Sequence, residues 1–177
     1  IFNPKKKSPA TIEFVDFMSI SEQENFTGFD STILNGFKLM DAFVVVLRGF
    51  ELYENKGDYL KELEIVITEF QLSDQIIIEA RLERLEGQIK KTNKPELKEE
   101  QIILNKCKEY LENETPLYKG TFTEYELKMI RGFQFLTLKP IYIILNLDEK
   151  KWQENNNIEN YLPEKWLNDY SSMVLCA

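Results

Sequence analysis

Asn146, Asp148 and Glu149 close an apolar run in the stretch TLKPIYIILNLDE, residues 137–149. A carboxamide both donates and accepts hydrogen bonds, whereas an ionised carboxylate only accepts. Asn146 with Glu149 can therefore recognise the polar edge of a ligand. The same residue types are common turn formers, and a plain turn after a strand fits them as well. A further carboxylate, Asp16, ends the β-rich run TIEFVD, where its simplest role is to cap nearby backbone N–H groups. The chain has no histidine, which excludes Ser-His-Asp and Cys-His nucleophiles, His-ligated zinc and imidazole bases. Cys107 and Cys176 form no spaced motif and read as two reduced, packed thiols.

The elements that must hold these residues follow from the patterning. Residues 141–146 are a short apolar run rich in branched side chains, the signature of a strand buried on both faces in a parallel sheet. Ligands of such sheets sit beyond the carboxyl ends of the strands, which is where Asn146 and Glu149 fall. Residues 11–16, 42–47 (AFVVVL) and 172–176 (SMVLC) read as further strands. Ser31 or Thr32 is positioned to cap a helix carrying Ile33, Phe37 and Met40. Leu60, Leu63, Ile67 and Phe70 share a helical face that runs on into Ile78, Leu82, Leu85 and Ile89, at the a/d spacing of a coiled coil. After the turn KTNKP, Leu97, Leu104, Cys107 and Leu111 continue the stripe on a second helix, as in an antiparallel hairpin. From Glu79 to Glu114 eight basic residues face nine acidic ones, an ordinary solvated surface. Thr123 to Glu126 is a capping box, and Pro163 suits the first turn of a short helix with Trp166 and Leu167. Strands alternating with helices give an α/β fold with a parallel sheet, flanking helices and an inserted antiparallel helical hairpin. The expected division is residues 1–72 and 123–177 for the α/β part and 73–122 for the hairpin.

Charge narrows the function. With a net charge of -8 and a pI near 4.8, the chain lacks the basic face a nucleic-acid binder needs to displace counterions. Lys5-Lys6-Lys7 is its one basic run. No apolar stretch is long enough for a membrane span and no signal segment opens the chain, so a cytoplasmic protein is expected. The chain starts at Ile1 and ends at Ala177 directly after an apolar run; a piece of a longer protein is the expectation.

Taken in order, SPATIEFVD, DAFVVVLRGFE, ARLERLE, MIRGFQFLTLKPIYIILNLDE and VLCA resemble the YchF family of Obg-related P-loop NTPases, whose G domain carries an inserted helical hairpin. The resemblance implies a P-loop NTPase-like fold, here partial. It also implies an Asn-x-x-Glu motif favouring ATP over GTP, matched by Asn146, Leu147, Asp148 and Glu149. A bidentate amide suits the adenine edge. By the same resemblance Cys176 and Ala177 fall where a backbone loop supports the base, and Asp16 where an acidic residue holds magnesium. The sequence departs from the family in four respects. Asp-x-x-Gly is replaced by Asp16-Phe17-Met18-Ser19, and the Gly-rich switch by ISEQENFTGFDST. There is also no G-x-x-x-x-G-K-[ST] and no TGS-type domain. The expectation is a base-reading corner that uses ATP or GTP with magnesium only if a P-loop comes from other sequence, and no hydrolysis by these residues alone. The alternative is a pseudo-NTPase that meets a ribosome or protein partner through its hairpin.

Overall fold

The computed structural model describes residues 10–17, 28–50 and 56–176. Lys5 to Lys7, Met18, Ser19 and Ala177 lie outside them. Three strands, β1 (Phe43–Arg48), β2 (Ile141–Leu147) and β3 (Ser171–Cys176), form a parallel sheet in the order β1-β2-β3. The register sets Leu47 beside Leu145, and Leu145 beside Val174. The described residues form six α-helices: α1 (Ser31–Lys38), α2 (Lys56–Thr92), α3 (Pro95–Glu112), α4 (Glu124–Ile130), α5 (Glu149–Glu154) and α6 (Glu164–Asp169).

The α/β class follows the sequence pattern, but two of the expected strand assignments need correction. Residues 11–16 form no strand, and Ile12 and Phe14 are 76% and 85% exposed. Strand propensity expresses fit to a pleated, half-buried surface, and no described strand lies beside this segment to provide one. Secondly, among the described residues the sheet is buried on one face only. Phe43, Leu47, Ile141, Ile143, Leu145 and Leu147 pack with Phe37 of α1, Leu63 and Phe70 of α2, and Trp166 of α6 in one core. The alternate positions Val44, Val46, Tyr142 and Met173 are exposed.

Local chemistry explains the helix ends. Asp30, rather than Ser31 or Thr32, caps α1, its carboxylate accepting from Thr32 N (2.8 Å) and Ile33 N (2.9 Å). A carboxylate also complements the positive end of the helix dipole, which a hydroxyl does not. Thr123 and Glu126 form the expected capping box. Asn93 ends α2 with φ 47°, a conformation asparagine tolerates, and Pro95 opens α3.

Helix α2 is a single rod of 37 residues, about 55 Å at the standard rise. Its first half feeds the sheet core through Tyr59, Leu63, Ile67 and Phe70. Its second half feeds another core through Ile78 and Leu85, packed with Leu104, Cys107 and Leu111 of α3. Leu82, Ile89 and Leu97 are partly buried at the same seam. A bidentate Arg81–Glu100 pair, 2.7 Å at each contact, crosses from α2 to α3. Burial pushes the Cys107 thiol up to about 12, so it stays protonated and inert.

The two cores meet at Asp74, which is wholly buried. Its carboxylate accepts from Leu136 N (2.8 Å), Thr137 N (2.8 Å) and Thr137 Oγ1 (2.7 Å). Lys139 Nζ donates to the Phe37 and Lys38 carbonyls at the end of α1. The segment leading into β2 is thus tied to both α1 and α2, and β2 carries that placement forward to Asn146.

Candidate functional site

The candidate residues gather at the carboxyl ends of β2 and β3. Asn146 is the next-to-last residue of β2, with Arg48 beside it on β1 and Leu175 on β3. Its carboxamide oxygen is buried and, among the described residues, has no hydrogen-bond partner. Burying an unpaired acceptor costs about 1–3 kcal/mol. An acceptor in that state at the end of a parallel strand is the kind of group a ligand's N–H satisfies.

The neighbouring residues build a rigid corner. Leu147 is 1% exposed and its side chain belongs to the sheet core, so only its backbone can face a ligand. Asp148 caps α5 by accepting from Lys151 N at 2.8 Å, and Lys151 Nζ reaches over to the Gly49 carbonyl at 3.1 Å. Gly49 N donates to the Asn146 carbonyl at 2.8 Å. A Cβ on Gly49 would sit 2.5 Å from Leu147 Cδ2 and 3.3 Å from that carbonyl. The close approach that fixes the Asn146 backbone therefore requires glycine.

Glu149 opens α5, exposed, and accepts from Gln153 Nε2 at 3.2 Å. Cys176 pairs in register with Leu147 and is exposed. Burial first, then the charges of Asp148, Glu154 and Cys176, raise the pKa of the Tyr161 hydroxyl above its usual range. That hydroxyl donates to the Lys151 carbonyl at 2.8 Å and braces α5 from behind.

The structure thus brings Asn146, Leu147, Glu149 and Cys176 to one end of the sheet. Asp16 is exposed at the end of a segment in no strand, and the described residues contain no group of three metal-ligating side chains. Donors and acceptors at this end of the sheet can meet the polar edge of a ligand. Two hollows lie elsewhere. One of about 420 Å³ runs along the hairpin past Glu79, Glu83 and Lys108, and one of about 170 Å³ sits between Thr68 and Trp166.

Sequence reasoning missed Asp74 and Gly49 as positioning residues. Asp74 carried a signal: it occupies the place between Phe70 and Ile78 where the apolar stripe of α2 demands a buried side chain. Gly49 carried none, because nothing local distinguishes it from an ordinary strand end.

No protein-family model matches the chain. The chain is 28% identical over 183 residues to a Schizosaccharomyces pombe protein named Obg-like ATPase 1, covering 96% of this chain and 46% of that one. It is 30% identical over 166 residues to Bacillus subtilis ribosome-binding ATPase YchF, covering 90% and 45%. Against the solved structure of the S. pombe YchF GTPase it aligns with a TM-score of 0.70 and 25% identity, covering 87% of this chain and 44% of that one. The chain spans about half the length of the curated relatives it matches.

Proposed function

The chain is YchF-like along most of its own length, and from that premise we propose that residues 146–149, with Cys176 and Ala177, form the adenine-reading corner of a nucleotide-binding fold. The observation that carries this reading is the buried, unpartnered carboxamide oxygen of Asn146. An adenine amino group donates to that oxygen, and the amide NH₂ donates to the neighbouring ring nitrogen. Glu149 and the backbone of Leu147 bound the base, and the strand end around Cys176 supports it. ATP is favoured over GTP because the amide matches the adenine edge.

Hydrolysis is a different matter. The sequence has no Gly-rich loop ending in Lys-Ser or Lys-Thr, so residues 1–177 supply neither a phosphate cradle nor the lysine that stabilises transferring charge. A P-loop from other sequence would bring the triphosphate and magnesium, with Asp16 as the ligand offered from this side. Calorimetric titration with ATP and GTP tests the reading. ATP is expected to bind more tightly than GTP, and Asn146→Ala to weaken ATP about tenfold, the loss of one bidentate pair. Equal affinities, unchanged by the substitution, would remove the reading.

A second reading is supported by the hairpin. Within it, Ile76 is exposed on α2 and Ile102 on α3. The B. subtilis relative bears ribosome binding in its name. In this reading the arm, residues 73–122, is a coiled-coil module that meets a ribosome or protein partner in the cytoplasm. Co-sedimentation with ribosomes that survives deletion of residues 91–95 would exclude the hairpin tip.

A further inference from the structure

The charges of the hairpin balance in the sequence but separate in space. Beyond the Arg81–Glu100 pair, the outer end of the arm, residues 84–98, carries five basic side chains and two acidic ones. The rest of the arm from Glu79 to Glu114 carries three basic and seven acidic ones. Those three inner cations are all paired: Arg81 with Glu100 at 2.7 Å, Lys106 with Glu126 at 2.8 Å and Lys108 with Glu79 at 3.2 Å. Arg84, Lys90, Lys91, Lys94 and Lys98 are exposed. Among the described residues, none of these five side chains has an ion-pair or hydrogen-bond partner.

Helix chemistry accounts for only part of this cluster. Lys90 and Lys91 lie in the last turn of α2, where a cation complements the negative end of the helix dipole. Lys94 and Lys98 lie at the opposite kind of end. Lys94 is the N-cap of α3 and makes no capping hydrogen bond, and Lys98 follows a turn later. A cation there opposes the dipole, and lysine lacks the side-chain acceptor of Ser, Thr, Asp or Asn. These two charges therefore do nothing for the helix that carries them. The turn at Asn93 brings all four lysines to one end of the rod, about 27 Å beyond Asp74 along α2. Salt screens charge over about 8 Å at physiological ionic strength. The net charge of -8 argues against a nucleic-acid-binding body, but it does not govern the tip.

We infer that the hairpin tip is a contact surface for the phosphate backbone of duplex RNA. The inference rests on the hairpin reading above, which leaves RNA and protein as partners, and the chemistry of the tip decides between them. Protein interfaces are depleted in lysine and anchored by aromatic side chains, and residues 84–98 contain no aromatic residue. The same lack removes a stacking platform for single-stranded bases. The apolar residues of the tip, Leu85, Ile89 and Leu97, belong to the seam between α2 and α3, which leaves none to insert into a membrane. Lysine meets phosphate as a point charge, and an exposed asparagine such as Asn93 is a usual phosphate contact. Duplex RNA is recognised largely by its shape and its phosphates, which such a tip can follow without reading bases.

Fluorescence anisotropy of a labelled RNA duplex titrated with the full chain, at several salt concentrations, tests this. Weak binding is expected, with a dissociation constant of about 10⁻⁶–10⁻⁴ M and a log–log salt slope of about -3 to -4 for four or five phosphates. The joint substitution Lys90→Gln, Lys91→Gln, Lys94→Gln and Lys98→Gln should weaken binding more than about tenfold at 50 mM salt and reduce the slope by about 3. Its thermal midpoint should be unchanged or higher. Lys128→Gln, an exposed lysine on α4, should leave RNA binding as it is. No binding at about 100 μM protein, or equal binding by the fourfold variant, would overturn the inference. So would an equal loss with Lys128→Gln, or a lowered midpoint, which would make the tip lysines structural. Tip-dependent binding to poly-glutamate or to phosphatidylserine vesicles as tight as that to RNA would also overturn it. Ribosome co-sedimentation retained by the fourfold variant would overturn this inference and leave the hairpin reading standing.

Discussion

At the residue scale, two buried polar groups have opposite circumstances, and the difference predicts opposite responses. Asn146 presents an acceptor with no partner, whereas Asp74 presents one that is fully used. Asn146→Ala deletes a desolvated group that contributes no hydrogen bond through its oxygen. Its unfolding free energy should stay level or rise by up to about 1 kcal/mol, and a urea titration reads this directly. A loss of several kcal/mol would make Asn146 a structural residue. Asp74→Asn turns an amide NH₂ toward a backbone N–H and should cost about 1–3 kcal/mol. Its pH dependence has a definite sign. Burial pushes the Asp74 carboxyl up from 3.8 to about 6, against three hydrogen bonds and the Lys139 charge that pull it down. The folded state therefore holds more protons than the unfolded one between these values, and stability from this group falls as pH rises through that window. The gap between wild type and Asp74→Asn should be wider at about pH 4.5 than at about pH 7. A gap that widens with pH would contradict the assignment.

At the element scale, the shared helix α2 makes the hairpin and the sheet core mechanically one. Leu104 is fully buried in the hairpin core, and Leu104→Ala should cost about 2–5 kcal/mol. Because α2 enters both cores, the loss should move a single cooperative transition observed by circular dichroism, and two separated transitions would show that the helix does not couple them. Gly87 lies exposed in α2, and a Cβ there would meet nothing within 4 Å. Gly87→Ala should therefore stabilise by about 0.5–1 kcal/mol. These elements were legible because their signals are local. The spacing of Ile78 and Leu85 on α2, that of Leu104, Cys107 and Leu111 on α3, and the box of Thr123 with Glu126 each lie within a few helical turns. The pattern points to Ser31 or Thr32 as the cap of α1, one or two residues late, because Asp30, Ser31 and Thr32 are all competent caps and only the geometry selects the carboxylate.

At the scale of the whole molecule, the sequence pattern shows which segments are apolar but not which neighbours they will have. FVVVL and IYIIL read as strands buried on both faces, and they are strands. Their second face is open because its cover is a long-range matter of strand order and crossover side. Residues 11–16 carry the same propensity and remain unpaired for the same reason: a strand needs an adjacent strand, which residue types alone cannot specify. The corner at residue 146 was legible as a strand end with polar residues. Its unpaired oxygen and its support by Gly49, Lys151 and Tyr161 were not, since each depends on contacts made across the fold. The most direct test of that corner is nuclear magnetic resonance of the ¹⁵N-labelled chain titrated with adenosine and with guanosine, nucleosides that carry no phosphate. Adenosine should shift the amide signals of Asn146, Glu149 and Cys176 more than guanosine does, and Asn146→Ala should abolish the difference. Equal shifts with both nucleosides, or shifts confined to other parts of the chain, would contradict a base-reading role.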